Sequence, residues 1–305
     1  WNEKFFHLSG LFLEKRNIKI EIGFEKEPML RRKIKLNDDL IKKKSDLIGQ
    51  VFTVIFSPSD LRIIEDGPTE RRRFIDSFIS MSDHFYFELL QDYNRALKQR
   101  NALLKQKNVN ENQMKIWDEM LIKKGFEIKN IRASQIPSLK EKYEKAVRMI
   151  SDHDDEMFFL YKPNFSSRED FENKLKERVV RDKKIGFTSV GIHRDEIFIG
   201  NNNRDILEFG SQGQKRSTVL ALKFGACEYL KERTGISPII LIDDVIRELD
   251  VKRREFFIKL ISSADQTFFT TTDLNGIEEF IMCFPDMQIF EVTNNQIKEV
   301  AALVA

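Results

Sequence analysis

The sequence predicts an α/β fold: a mixed sheet flanked by helices, interrupted by an inserted arm of helices. Three observations carry this. The last ninety residues alternate helix-patterned and strand-patterned segments, which implies parallel strands with helical crossovers. The middle of the chain is rich in Lys, Glu and Gln, poor in Gly, and shows helical periodicity. The opening stretch breaks into short β-prone segments separated by polar turns.

Residues 5–13, 18–23 and 31–36 read as strands, with Asn37-Asp38 as a turn pair. A more apolar strand follows at 51–56, closed by Ser57-Pro58-Ser59-Asp60. Gly67-Pro68 marks a helix start, with Pro at the first helical position and Glu70 in the first turn. From 82 to 107 the pattern is helical, with Tyr86, Leu90, Tyr93, Leu97 and Leu104 on one stripe. A polar turn at 108–112 leads to a second helix, 114–131, and a third, 138–150, behind Pro137. A strand at 156–161, a charged helix at 168–184 and β-structure at 186–199 come next. The alternating part comprises helix 214–233, strand 238–242, helix 251–262, strand 266–271, helix 275–283 and strand 287–292. Residues 1–81 and 186–305 are thus expected to form one unit and 82–185 the helical arm.

Composition excludes more than it selects. The 51 basic and 49 acidic residues leave a net charge of +2, so any nucleic-acid contact must come from a local patch. No apolar run approaches the roughly 18 residues that span a bilayer, and no signal peptide is visible. Cys227 and Cys283 have no metal spacing and read as core thiols of a reducing compartment. The chain opens at Trp1 rather than Met, which is read as an N-terminally incomplete sequence.

The residues suited to chemistry cluster near the end. The run Ile239-Ile-Leu-Ile242 fits a parallel strand buried on both faces, and Asp243 and Asp244 sit at its carboxyl end, where such strands present ligand groups. Asp243 would hold Mg²⁺ through its water shell, and Asp244 would orient or deprotonate a water attacking a γ-phosphate. An isolated Asp pair opening a loop is the plainer alternative. Phe209-Gly-Ser-Gln-Gly-Gln214 stands at a helix start, whose free N–H groups and dipole favour an anion. Ser211 can donate to a phosphate oxygen, Gln212 and Gln214 flank it, and Gly213 permits close backbone approach. A simple helix cap is the competing account. Glu248-Leu-Asp250 would cross a dimer interface, or Asp250 would cap the next helix, or both. Thr272 or Asp273, after the strand at 266–271, would sense the γ-phosphate; a plain turn is equally open. In this order the elements point to an ABC-type ATPase head, which sandwiches ATP between two copies.

The Gly-rich loop ending in Lys-Ser/Thr that would hold the triphosphate is absent from the 305 residues. Gly186-Phe-Thr-Ser-Val-Gly191 has the glycine spacing but is followed by Ile192-His193. His193-Arg-Asp195 lacks the rest of a kinase catalytic loop. His193 and Arg194 remain open to nucleotide, DNA or structure. Arg71, Arg72, Lys98 and Arg100, with Lys105 and Lys107, could meet DNA phosphates or simply be solvated.

The chain resembles the RecF family of bacterial recombination mediators. The likeness runs through Val54-Ile-Phe-Ser-Pro-Ser-Asp-Leu61, Gly67-Pro-Thr-Glu-Arg-Arg-Arg-Phe-Ile-Asp76, Tyr93-Asn-Arg-Ala-Leu-Lys-Gln-Arg-Asn-Ala-Leu-Leu104, Trp117-Asp-Glu119, Gly191-Ile-His-Arg-Asp195 and the split-site elements. It implies an ATPase head with a helical arm, related to SMC-type repair ATPases. It implies ATP-dependent homodimers in the bacterial cytoplasm that bind single-strand/double-strand DNA junctions, work with RecR and RecO, and help load RecA. It places the trans phosphate contact on Ser211 to Gln214, the metal and water roles on Asp243 and Asp244, and the interface turn on Leu249-Asp250. Ile192 stands where the family has Pro, and Arg247 where it has a small residue. The family's N-terminal strand, phosphate loop and first helix are expected to be missing, so the chain alone is expected not to hydrolyse ATP. A degenerate head binding DNA or a RecR-like partner, and another SMC-like repair ATPase, are the competing readings.

Overall fold

The computed structural model describes residues 4–13, 17–26, 31–106, 110–150, 157–201, 204–245, 249–272, 282–284, 287–294 and 296–300. It begins with an antiparallel meander of β1 (Phe5–Leu13), β2 (Asn17–Glu25), β3 (Arg31–Leu36) and β4 (Asp39–Leu40). Asn37 and Asp38 turn the chain in the left-handed region that short polar side chains tolerate. β5 (Thr53–Phe56) and a capped 3₁₀ turn, Pro58–Leu61, follow. Then come α1 (Arg62–Glu65), α2 (Pro68–Ser82), α3 (His84–Leu104) and α4 (Glu111–Ile150).

The second half holds β6 (Met157–Lys162), α5 (Arg168–Ile185), β7 (Glu196–Asn201), β8 (Arg204–Asp205), α6 (Ile206–Phe209) and α7 (Gln212–Thr234). It ends with β9 (Ile239–Asp243), α8 (Val251–Ser262), β10 (Thr267–Thr270), β11 (Ile289–Thr293) and β12 (Gln296–Val300).

The α/β class stands, but the described strands divide among four sheets. The sheet that matters for the site is parallel, in the order β10-β9-β5. One of its faces carries Val54, Phe56, Ile240 and Ile242, all nearly inaccessible. The other carries the row Ile55–Leu241–Phe268, in which Ile55 is 50% and Phe268 55% exposed. The expectation that 239–242 is buried on both faces is therefore corrected.

Three more expectations change. Pro137 does not end a helix: α4 runs through it for 40 residues. The ring deletes one N–H, but α4 buries Leu121, Ile128, Ile136, Leu139, Tyr143 and Ala146 along its length, and that burial outweighs a cost of about 3 kcal/mol. Residues 186–195 form a loop with a short 3₁₀ turn at Ile192–Arg194, and the strand begins only at Glu196. The last strand leaves the parallel sheet and pairs antiparallel with β12 as a hairpin. The helix expected at 275–283 falls mostly outside the described residues.

One hydrophobic cluster joins the parallel sheet, α2, α3, α4 and α7. Helix α7 is buried on nearly every side between Thr218 and Leu230, because it lies between the sheet and α4. At the α4–α7 crossing a Cβ on Gly225 would meet the Tyr143 backbone nitrogen at 3.0 Å, so a side chain there would press the two helices apart. Cys227 lies in this core, where burial raises its thiol pKa and keeps it inert. Cys283, expected in the core, is exposed.

Candidate functional site

The carboxyl ends of β5, β9 and β10 lie side by side, since Phe56 pairs with Ile242 and Asp243 with Thr270. Asp243 is exposed there, and its Oδ1 accepts a hydrogen bond from Thr270 Oγ1 at 2.9 Å. Asp244 turns the chain with φ 51°, the left-handed region that Asp tolerates better than most residues. Its backbone N–H donates to the Thr270 carbonyl at 3.3 Å. Its Oδ1 is buried and accepts no hydrogen bond among the described residues. A buried carboxylate oxygen without a donor is costly unless a cation or water completes it. Two hard oxygen donors, one exposed and one unsatisfied, fit Mg²⁺, which keeps most of its waters and takes few protein ligands. Among the described residues no cluster of three or more His, Cys, Asp or Glu forms an all-protein cage.

The end of β5 is held by a residue that sequence reasoning passed over. Lys223, nearly buried in α7, donates to the Ile55 carbonyl at 2.6 Å and pairs with Asp60 at 2.8 Å. Asp60 also accepts from the Ser57 backbone N–H at 2.8 Å, closing the capping box of the 3₁₀ turn. A lysine inside the apolar run Val219–Ala226 was the available signal. Between this turn, α7 and the chain after β9 lies a cleft lined by Phe56, Pro58, Leu61, Val219, Val245 and Leu249.

The glycine-bearing segment forms the first turn of α7. Ser211 is the N-cap: its Oγ accepts from the Gln214 N–H at 3.2 Å, and Gln214 Oε1 accepts from the Ser211 N–H at 2.9 Å. The capping role uses a lone pair of Ser211 and leaves its O–H to donate elsewhere. Ser211, Gln212 and Gln214 are exposed. Asp250 caps α8, accepting from the Arg253 N–H at 3.0 Å, while Leu249 is buried. Arg253, also missed in the sequence, donates to the Gly213 carbonyl at 2.7 Å, to Ser217 Oγ at 2.9 Å and to the Asp250 carboxylate. Thr272 is exposed just beyond β10, whereas Asp273 and Glu248 lie outside the described residues.

The motif cations behave differently from expectation. Arg100 is wholly buried, bound to Asp118, Asp182 and Thr188, so its assignment to DNA is withdrawn. Arg71 is also buried, with a hydrogen bond to the Ile64 carbonyl, and is withdrawn for the same reason. Arg72 is half-buried and donates to the Asp195 carbonyl and to Thr69, while Lys98 is exposed. Lys107 lies outside the described residues. His193 is structural: Nδ1 lies 2.8 Å from the Tyr93 hydroxyl and Nε2 2.9 Å from the Thr188 carbonyl, which fixes a neutral ring donating from Nε2. Burial holds its pKa down to about 4. Asp195 accepts from Arg132, Tyr161 and the Asn164 backbone.

A scan against protein-family models returns no match. The DNA replication and repair protein RecF of Leptospira interrogans serogroup Icterohaemorrhagiae is 47% identical over 304 residues, covering 98% of this chain and 83% of the relative. The protein of the same name from Clostridium novyi is 35% identical, covering 94% of this chain and 79% of its own length. A solved structure of the recombination mediator protein RecF-ATPrS in the RecFOR pathway superposes with a TM-score of 0.86 at 31% identity, over 99% of this chain and 82% of its own. A second, of RecF-ATP, gives 0.84 at 30% identity. Identity of this level over nearly the whole chain decides the matter: the chain belongs to the RecF family of DNA replication and repair proteins.

Proposed function

We propose that this chain supplies the dimer-facing part of an ABC-type ATPase head whose ATP-driven homodimerisation clamps DNA at single-strand/double-strand junctions during gap repair. The observation that carries this is the pairing of an exposed Asp243 with an unsatisfied, buried Asp244 oxygen at parallel strand ends. The solved relatives named with ATP and ATPrS support a nucleotide as the ligand. On this reading residues 1–81 and 186–305 make the head and 82–185 the arm, rooted in the head through the shared hydrophobic cluster.

Each residue then has a task. Asp243, steadied by Thr270, would help hold Mg²⁺. Asp244 would position the water that attacks the terminal phosphorus and take up its proton, while the bond to the bridging oxygen breaks and the nucleoside diphosphate leaves. Ser211 donates its free O–H across the interface to the other subunit's phosphate, with the Gly213 amide and the α7 dipole behind it. Gln212 flanks that contact, Asp250 sits beside the attacking water, and Thr272, with Asp273, senses the γ-phosphate. Magnesium, when bound, neutralises phosphate charge and stabilises the leaving group. The triphosphate itself needs the family's phosphate loop, which these 305 residues do not contain. DNA contact falls to the exposed Lys98 and to the half-buried Arg72. RecR and RecO are the proposed protein partners, RecA loading the outcome, and the bacterial cytoplasm the location. Among the described residues no helix is long and apolar enough to cross a membrane.

The test uses the full-length protein. Ser211→Arg should bind ATP as the parent does and remain monomeric by sedimentation, because the longer cation fills the phosphate's place. Dimerisation at parental affinity would overturn the trans contact.

A further inference from the structure

Arg253 joins two segments that no motif connects. Its Nη2 donates to the Gly213 carbonyl in the first turn of α7, and its Nε to Ser217 one turn on. Its Nη1 donates to Asp250, the cap of α8. The side chain is only 18% exposed, so these bonds are largely shielded from water. Gly213 makes room for it, since a Cβ there would stand 3.0 Å from Nη2. The positive ends of α7 and α8 are thereby brought together with a guanidinium between them. Such an arrangement repels itself, and a carbonyl, a hydroxyl and a carboxylate are what hold it.

We propose that Arg253 is a positioning residue that locks the Ser211–Gln214 tip and the Asp250 turn into one body, so that both meet the partner subunit's phosphate site at fixed spacing. This rests on the dimer reading above. A helix-surface ion pair three residues apart contributes little to folding, so the Arg253–Asp250 contact alone does not explain the residue. The bond to Gly213, forty residues away in the chain, gives it a purpose at the site.

The experiment compares Arg253→Gln, Ser217→Ala and the double variant in the full-length protein. Each single change should weaken ATP-driven dimerisation at least tenfold, while nucleotide affinity of the monomer and the urea midpoint stay near parental. The double variant should be no worse than the weaker single, because both changes break one contact. Additive losses, or a midpoint that falls in step with dimerisation in both single variants, would show an ordinary stabilising role and overturn the proposal. If the parent dimerises with ATP and Arg253→Gln does so equally well, Arg253's role alone falls. A parent that stays monomeric with ATP removes the dimer reading and this role together.

Discussion

Asp76 and Asp195, from two of the family motifs, are held by one interior arginine. Arg132, almost inaccessible, donates to both oxygens of Asp76, to Asp195 at 2.7 Å and to the Ile192 carbonyl. The Tyr86 and Tyr161 hydroxyls donate to the same carboxylates, to Asp76 at 2.5 Å and to Asp195 at 2.6 Å. Five segments meet at this one guanidinium. Arg132→Met should therefore destabilise by about 3–5 kcal/mol, since it strands two carboxylates that are buried or nearly so. Urea unfolding measures this, and a loss under 1 kcal/mol would contradict the geometry. His193 predicts a pH effect. Its folded pKa of about 4 lies below its ordinary value of 6.5, so the unfolded chain takes up the proton first as pH falls. Its contribution is complete above pH 6.5 and drains away down to pH 4, by roughly 3 kcal/mol in total. His193→Gln should flatten that part of the stability profile; an unchanged slope would mean that the ring is not held neutral.

At the scale of elements, what was legible followed from local rules. Ser211, Asp250 and Pro68 announced helix starts because caps act within three residues. The Asp243-Asp244 pair was legible because an apolar strand must end somewhere polar. Pro137 misled because its cost is local while the gain from α4 packing is spread over about eleven turns. Lys223, Arg132 and Arg253 stayed hidden for a related reason: a cation's partner 40 to 168 residues away leaves no pattern around the cation itself. The α4–α7 crossing is an element-scale contact sensitive to substitution. Gly225→Val should cost on the order of 1–3 kcal/mol by forcing the helices apart at Tyr143. A thermal midpoint equal to the parent's would show that the crossing is looser than the 3.0 Å approach indicates.

For the whole molecule, the same cluster that buries α7 between the sheet and α4 ties the arm to the helix whose tip faces the proposed partner site. Under the proposed reading, closure at that tip would be passed through this shared core to α3 and α4, and so to the DNA contact. Asp244→Asn should keep nucleotide binding and prolong the ATP-bound dimer on DNA, because the water loses its base while the interface remains. Equal dimer lifetimes for variant and parent would refute that role. The central claim is that each ATP lies between the Asp pair of one subunit and the Ser211 tip of the other. It is tested most directly by mixing full-length Ser211→Ala with full-length Asp244→Asn and measuring ATP hydrolysis. Each variant alone should be impaired at both sites, whereas the mixed dimer regains one intact site, so the mixture should recover part of the parental rate. A mixture no more active than the mean of the two variants would place the serine and the aspartates in separate chemistry and contradict the shared site.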